Sequence, residues 1–259
     1  MEQYSRTVAG TVEKNVMIAA GVYEMSVLTR LCGRFIPGQF INVYLDDRSM
    51  MLPRPISISE AGANSVKLIY KVTGKGTEHL SSYGKDMSIV ISTPLGNGFS
   101  IERDYTGKHI ALVAGGIGIP PLVGLAKNLR ERNAVLTSYL GFQSDIFVAD
   151  KFEAASENVY ISTDDESFGF HGNVVDMLKE GGYIYDEYFA CGPKTMLRAL
   201  CEYVKQKERS VQVSLEERMG CGYGACLGCV CKVSDSGGIA RKRVCADGPV
   251  FYGEEVVWD

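Results

Sequence analysis

Four of the chain's eight cysteines lie in the run "CGYGACLGCVC", residues 221 to 231. Cys221, Cys226 and Cys229 keep the spacing CxxxxCxxC, and Cys245 follows after fifteen intervening residues. From about residue 216 onward the chain is rich in Gly and Cys, shows little helical periodicity and is too short to make a core of its own, so it needs a staple such as a metal site. The first three cysteines match the plant-type [2Fe–2S] ligand spacing, in which a glycine-rich loop wraps the cluster and backbone amides bond its sulfurs. Gly220, Gly222, Gly224 and Gly228 suit such a wrap. A tetrahedral zinc site is the alternative, because four thiolates serve zinc equally well.

The remainder of the 259 residues is enough for two compact domains, which makes the expected fold class multidomain, β plus α/β. Residues 1–104 read as short alternating or apolar runs between turn residues: "YEMSVLT", "QFINVYL", "ISISEA", "SVKLIYKV" and "SIVIST". That spacing predicts a closed antiparallel β-barrel, with "GTEHLSSY" its one helical stretch. Over residues 105–215 apolar runs ("HIALVAG", "AVLTSYLGF", "NVYISTDD", "EYFACG", "VQVSLE") alternate with helix-compatible segments ("PPLVGLAKNLRERN", "FHGNVVDMLKEG", "KTMLRALCEYVKQKE"). Alternation of this kind predicts a parallel sheet with crossover helices and a nucleotide site at the carboxyl ends of its strands. Residues 216–259 are the cysteine module.

Apolar residues at 46% and charged residues at 22% predict a chain folded throughout. A formal charge of −4 gives no electrostatic footprint for nucleic acid or an anionic membrane surface. The uncharged run 110–126 is slightly short for a bilayer span and is broken by Gly115, Gly116, Gly118, Pro120, Pro121 and Gly124, so no membrane partner is expected. The N-terminus lacks a basic segment followed by an apolar one, and a cytoplasmic location is the expectation. In that compartment thiols stay reduced, and the cysteines read as ligands, redox groups or small buried side chains. Cys32, in a barrel turn region, and Cys201, in the apolar-periodic helix "MLRALCEYV", are expected to be structural. The isolated His79, His109 and His171 show no ligand spacing.

"LVAGGIGIPP" follows a predicted strand and opens a predicted helix, so Gly115, Gly116 and Gly118 would let the backbone approach a pyrophosphate at the helix N-terminus. A later strand ends in "FACGP" ahead of another helix. Paired with the glycine loop, it resembles the nicotinamide-binding half of the ferredoxin-NADP reductase superfamily, which implies that Cys191, Gly192 and Pro193 lie near the nicotinamide. After the second parallel strand, "GFQSDIF" has no Arg or Lys to meet a 2′-phosphate, which favours NAD over NADP.

In the barrel, "LPRPISISEA" and the later "IYKVTGKGTEHL" resemble the flavin signature and phosphate clamp of the same superfamily. The resemblance implies that Arg54 neutralises the FAD pyrophosphate with a planar two-donor grip and that Ser57 bonds near the flavin N5. Pro55, Ile56, Ile69, Tyr70 and Lys71 then line the flavin and its ribityl chain, and Gly76 and Thr77 bind phosphate. Ile56 stands where many members carry a stacking aromatic, which leaves Tyr70 as the stacking candidate.

"EERMGCGYGACLGCVCKV" followed by "VCADGPVF" resembles the electron-transfer subunits of NAD-dependent (class 1B) dihydroorotate dehydrogenases, and with "RPISI", "GKGT", "AGGIGIPP" and "ACGP" the resemblance spans the whole chain. It implies FAD and one [2Fe–2S] cluster on Cys221, Cys226, Cys229 and Cys245, with Cys231 outside the set. It also implies a catalytic partner subunit carrying FMN, in a heterotetramer of two copies of each, passing electrons from dihydroorotate through cluster and FAD to NAD⁺ for pyrimidine biosynthesis. No catalytic residue is assigned on this chain. A reductase subunit of the ferredoxin:NADP oxidoreductase or sulfhydrogenase type is the alternative enzyme, although those relatives tend to place Asp where Cys221 stands. A non-catalytic module whose Cys₄ zinc staples the tail is the alternative of another class.

Overall fold

The computed structural model describes residues 7–29, 35–235 and 237–258; Cys32 lies outside them. Six antiparallel strands, β1 (Thr7–Ala19), β2 (Val22–Leu28), β3 (Phe40–Tyr44), β4 (Arg54–Ala61), β5 (Ser65–Lys71) and β6 (Ser88–Ser92), close into a barrel in the order β1-β2-β5-β4-β3-β6. Helix α1 (Lys75–Ser81) joins β5 to β6 and contributes Leu80 to the barrel core, beside Met25, Ile41, Val43, Ile58, Leu68 and Ile91. All five expected runs are strands. The thirteen-residue β1 gave no such signal, because register irregularities at Val12/Lys14 and Met17/Ala19 interrupt its alternation and Val12 alone among its residues is buried.

The α/β half is a sheet ordered β10-β9-β8-β7-β11-β12, completed at its edge by β15 (Val250–Tyr252). Its parallel strands β7 (His109–Gly115), β8 (Val135–Phe142), β9 (Asn158–Thr163), β10 (Phe170–His171), β11 (Glu187–Cys191) and β12 (Ser210–Ser214) alternate with α2 (Pro120–Glu131), α3 (Ala149–Glu153), α4 (Val174–Gly181) and α5 (Lys194–Gln206). The prolines sit in the first turn of α2, where a missing N–H costs nothing. Asn173 caps α4 by accepting from the amides of Val175 and Asp176, both at 3.0 Å, so the helix begins later than the apolar pattern suggests and Phe170 and His171 become a short strand. The chain runs outward from β7 to β10 and returns on the other side of β7 as β11. The carboxyl ends of β7 and β11 therefore flank the topological switch point.

The cysteine-rich tail forms a hairpin, β13 (Val230–Asp235) with β14 (Gly238–Arg243), and then sends β15 (Val250–Tyr252) antiparallel onto the edge strand β12. Cys229, Val233, Val244, Cys245 and Phe251 lie in one apolar cluster with Tyr188, Leu200 and Val213 of the α/β half. The tail is too short for its own core and shares this one.

Strand β3 is buried on both faces. Ile41 and Val43 point into the barrel, whereas Phe40 joins the cluster shared by sheet and tail. Between barrel and sheet the connecting segment is stitched down. Ser100 N donates to Gln212 Oε1 at 2.8 Å, Gln212 Nε2 returns bonds to Ser100 O and Glu187 Oε1, and the Tyr105 hydroxyl donates to the buried Glu187 carboxylate at 3.0 Å. These bonds hold the two halves in one arrangement.

Candidate functional site

The four spaced cysteines come together in the fold. Five backbone amides point at their sulfurs: Gly224 N to Cys245 Sγ at 3.1 Å, Ala225 N and Cys226 N to Cys221 Sγ at 3.3 and 3.4 Å, Cys221 N to Cys226 Sγ and Cys245 N to Cys229 Sγ, both at 3.4 Å. Each of the four sulfurs accepts at least one. Burial pushes the Cys245 thiol up to about 12. Burial also acts on Cys221, but the amides of Tyr223, Cys226 and Ala225 outweigh it and bring that thiol down to about 7. Arg243 grips Asp247 with both ends of its guanidinium, at 3.0 and 3.1 Å, and donates to Gly224 O at 3.1 Å, bracing the loop from below.

Amide-to-sulfur bonds join the cysteines as two pairs, Cys221 and Cys226 reciprocally and Cys245 to Cys229. A two-iron cluster takes two thiolates per iron, and paired thiols whose sulfurs accept backbone amides fit it. Cys231 lies elsewhere. It sits on β13 opposite Lys242, half-buried, its thiol pushed up by burial to about 11, on the wall of a separate cavity of ≈ 450 Å³ beside Trp258.

A second cavity, ≈ 290 Å³, opens at the barrel's edge and is lined by Pro55, Ile56, Ser57, Ile69, Tyr70, Lys71 and Thr77. Arg54 lies across the start of α1, where a side chain on Gly76 would collide with its guanidinium. Thr77 Oγ1 accepts from Thr73 N at 2.9 Å and Gly74 N at 3.3 Å, which fixes the loop ahead of α1. Tyr70 stacks on Tyr23 at 5.8 Å and anchors its hydroxyl on Asn15 at 3.0 Å. The cavity also takes Phe40, Ile117, Ser214, Leu215, Glu216, Glu217, Met219 and Pro249. No local pattern marks these residues, since they reach the cavity only through strand order.

A third cavity, ≈ 480 Å³, lies at the switch point and is lined by Gly115, Gly116 and Pro193 together with Gln143, Asp164 and Asn173. Lys71 borders this cavity and the previous one, so the two adjoin. Gly118 and Cys191 contribute indirectly. A Cβ on Gly118 would lie 2.5 Å from the backbone of Cys191, and Cys191 is itself buried, its thiol pushed well above the usual range by desolvation. Gly192 packs on Met196 and borders the Cys231 cavity.

Residues 216–257 match the family described as the iron-sulfur cluster binding domain of dihydroorotate dehydrogenase B. The chain is 43% identical over 253 residues to the electron transfer subunit of dihydroorotate dehydrogenase B (NAD(+)) of Geobacillus sp. (strain WCH70), covering 95% of this chain and 97% of that one. It is 40% identical over 260 residues to the protein of the same name from Fusobacterium nucleatum, covering 95% and 96%. Among solved structures, the NADH-dependent reduced ferredoxin-NADP oxidoreductase superposes with a TM-score of 0.86 at 30% identity over 96% of this chain and 90% of the other. The ferredoxin-NADP⁺ reductase from Plasmodium falciparum, at 16% identity and a TM-score of 0.65 over 82% and 96%, shares the fold. On whole-length identity of about two residues in five, the chain belongs to the family of electron transfer subunits of NAD(+)-dependent dihydroorotate dehydrogenase B.

Proposed function

We propose that this chain binds FAD in the barrel cavity, a [2Fe–2S] cluster on Cys221, Cys226, Cys229 and Cys245, and NAD at the switch point, with units 1–104, 105–215 and 216–259 serving those three groups in turn. Bound together, these groups supply the exchange between one-electron transfer and hydride transfer that connects a cluster to a nicotinamide. The observation that carries the reading is adjacency: the barrel cavity shares Lys71 with the nucleotide cavity on one side and takes Met219 and Pro249, neighbours of the cysteine loop, on the other.

The chain's own residues then have defined tasks. Arg54 and the start of α1 hold the pyrophosphate of FAD, and Ser57 and Lys71 face its ring system. Gly115 and Gly116 admit the dinucleotide backbone, and Asp164 lines that cavity, where its carboxylate repels a 2′-phosphate; among the described residues Lys71 is the one cation in the lining. NAD is therefore the acceptor. Dye reduction faster with NADPH than with NADH would refute that choice.

The partner is the FMN-containing catalytic subunit, which oxidises dihydroorotate to orotate, in a heterotetramer of two copies of each chain in the cytoplasm. Cys226 is exposed beside Tyr223 and Leu227, 52% and 64% exposed, so the cysteine loop presents an apolar face to that subunit. Among the described residues no helix is long and apolar enough to cross a membrane. Co-expression with the catalytic subunit is expected to give NAD-dependent dihydroorotate oxidation, with iron, sulfide and flavin in the purified complex. Equal activity of the catalytic subunit without this chain would overturn the reading, and zinc in place of iron would overturn the cluster.

A further inference from the structure

Asn42 is fully buried in the middle of β3, in the run "FINVY", where every other buried position is apolar. Its Nδ2 donates to the carbonyl of Cys221 at 2.8 Å, and its own amide N–H donates to Ser92 Oγ at 2.9 Å. Its Oδ1 has no hydrogen-bond partner. A buried carbonyl left unpaired costs about 1–3 kcal/mol, so a leucine of the same shape would suit the strand at least as well unless the amide has a task.

The surroundings of Asn42 indicate the task. Strand alternation puts it on the same outward face as Phe40, which lines the flavin cavity. Across the ladder Asn42 pairs with Pro55 and Phe40 with Ser57, both residues of the flavin cavity wall. On the other side the cluster loop rests on the carboxamide. Gly222 has φ +77, and a Cβ there would lie 2.5 Å from Asn42 Oδ1 and 2.6 Å from Nδ2. One side chain thus touches the loop of a cluster ligand while the residues beside it in the sheet, Phe40 and Pro55, line the flavin cavity.

Resting on the function proposed above, we infer that Asn42 is the positioning residue for electron exchange between flavin and cluster: its carboxamide locks the Cys221 end of the loop at a fixed distance from the flavin strand. Were flavin and cluster bound, the two electrons of a hydride from NADH would divide between them across this contact, with the proton released to solvent. Asn42 acts on the passage to the cluster and not on hydride arrival, which takes place at the other cavity.

The test compares the full wild-type chain, loaded with FAD and cluster, with Asn42→Leu and Asn42→Asp. Wild-type protein lacking either group refutes the underlying function before any variant is made. In Asn42→Leu the Cys221 carbonyl loses its donor while the unpaired Oδ1 disappears, so stability should stay level. With anaerobic NADH in stopped flow, flavin bleaching is expected at the wild-type rate, and appearance of the reduced-cluster electron paramagnetic resonance signal is expected about tenfold slower in both variants, the usual size of an outer-shell effect. Full loading with unchanged transfer to the cluster would overturn the proposal. Loss of the cluster from both variants would also overturn it, because Asn42 would then be a folding residue of the loop.

Discussion

Two glycine-rich loops border the candidate sites of this chain, and their glycines answer different demands. In the loop after β7, Gly115 and Gly118 give up a side chain to make room for distant parts of the chain: a Cβ would meet Met196 Sδ at 2.8 Å in one case and the Cys191 backbone at 2.5 Å in the other. In the cysteine loop, Gly222 and Gly224 are crowded too, by Asn42 at 2.5 Å and Ala246 at 2.9 Å, but they also have φ of +77 and +89, and the turn they allow directs amides at sulfurs, Gly224 N reaching Cys245 Sγ at 3.1 Å. The first loop is shaped by what packs behind it, and the second by what it must hold.

The largest effect falls on the ligands of the second loop. Cys226→Ser is expected to abolish the cluster while FAD remains, read as loss of iron and sulfide at constant flavin content. Cys231→Ser is expected to leave both unchanged, because that thiol faces the cavity near Trp258 and not the amide-lined pairs. Loss of the cluster in the Cys231 variant would mean that the ligand set had been misassigned.

Next comes Gly118→Ala, where the obstacle is backbone rather than a flexible side chain. Moving β11 away from β7 to admit the methyl would disturb Cys191 and Pro193 together, and overpacking of this kind costs about 3 kcal/mol. Urea unfolding at a lower midpoint, with NADH-driven flavin reduction impaired but iron content normal, would confirm that this loop is built around its packing. An unaffected variant would break the contrast with the cysteine loop.

That contrast also explains what could be read from the residues alone. The cysteine spacing is a local signature, since three of the four cysteines lie within nine residues, and the amide donors come from the same loop. The barrel strands and the α/β alternation were likewise legible wherever side chains kept a regular period; β1 was not, because its irregular register scrambles that period. The rest of the site depends on which strands become neighbours. Residues 214–217 border the barrel cavity because β12 ends beside β11, Asp164 lines the switch-point cavity because β9 ends beside β8, and Asn42 meets Cys221 across 179 positions of sequence. Gly118 belongs to the same class, as its crowding by Cys191 appears only when β7 and β11 lie side by side.

Gly116→Ala should have the smallest effect and tests the one exception inside the nucleotide loop. Gly116 has φ +53, as the cysteine-loop glycines have positive φ, yet a Cβ there meets nothing within 4 Å. The cost should then be that of the left-handed backbone alone, about 1 kcal/mol. Because Gly116 lines the dinucleotide cavity, the added methyl should raise KM for NADH more than it lowers kcat for flavin reduction, with iron and flavin contents unchanged. A destabilisation as large as that of Gly118→Ala would show that hidden crowding also governs this position. With neither stability nor KM altered, the loop would not need a glycine here, and its hold on the pyrophosphate would rest on Gly115 and the start of α2.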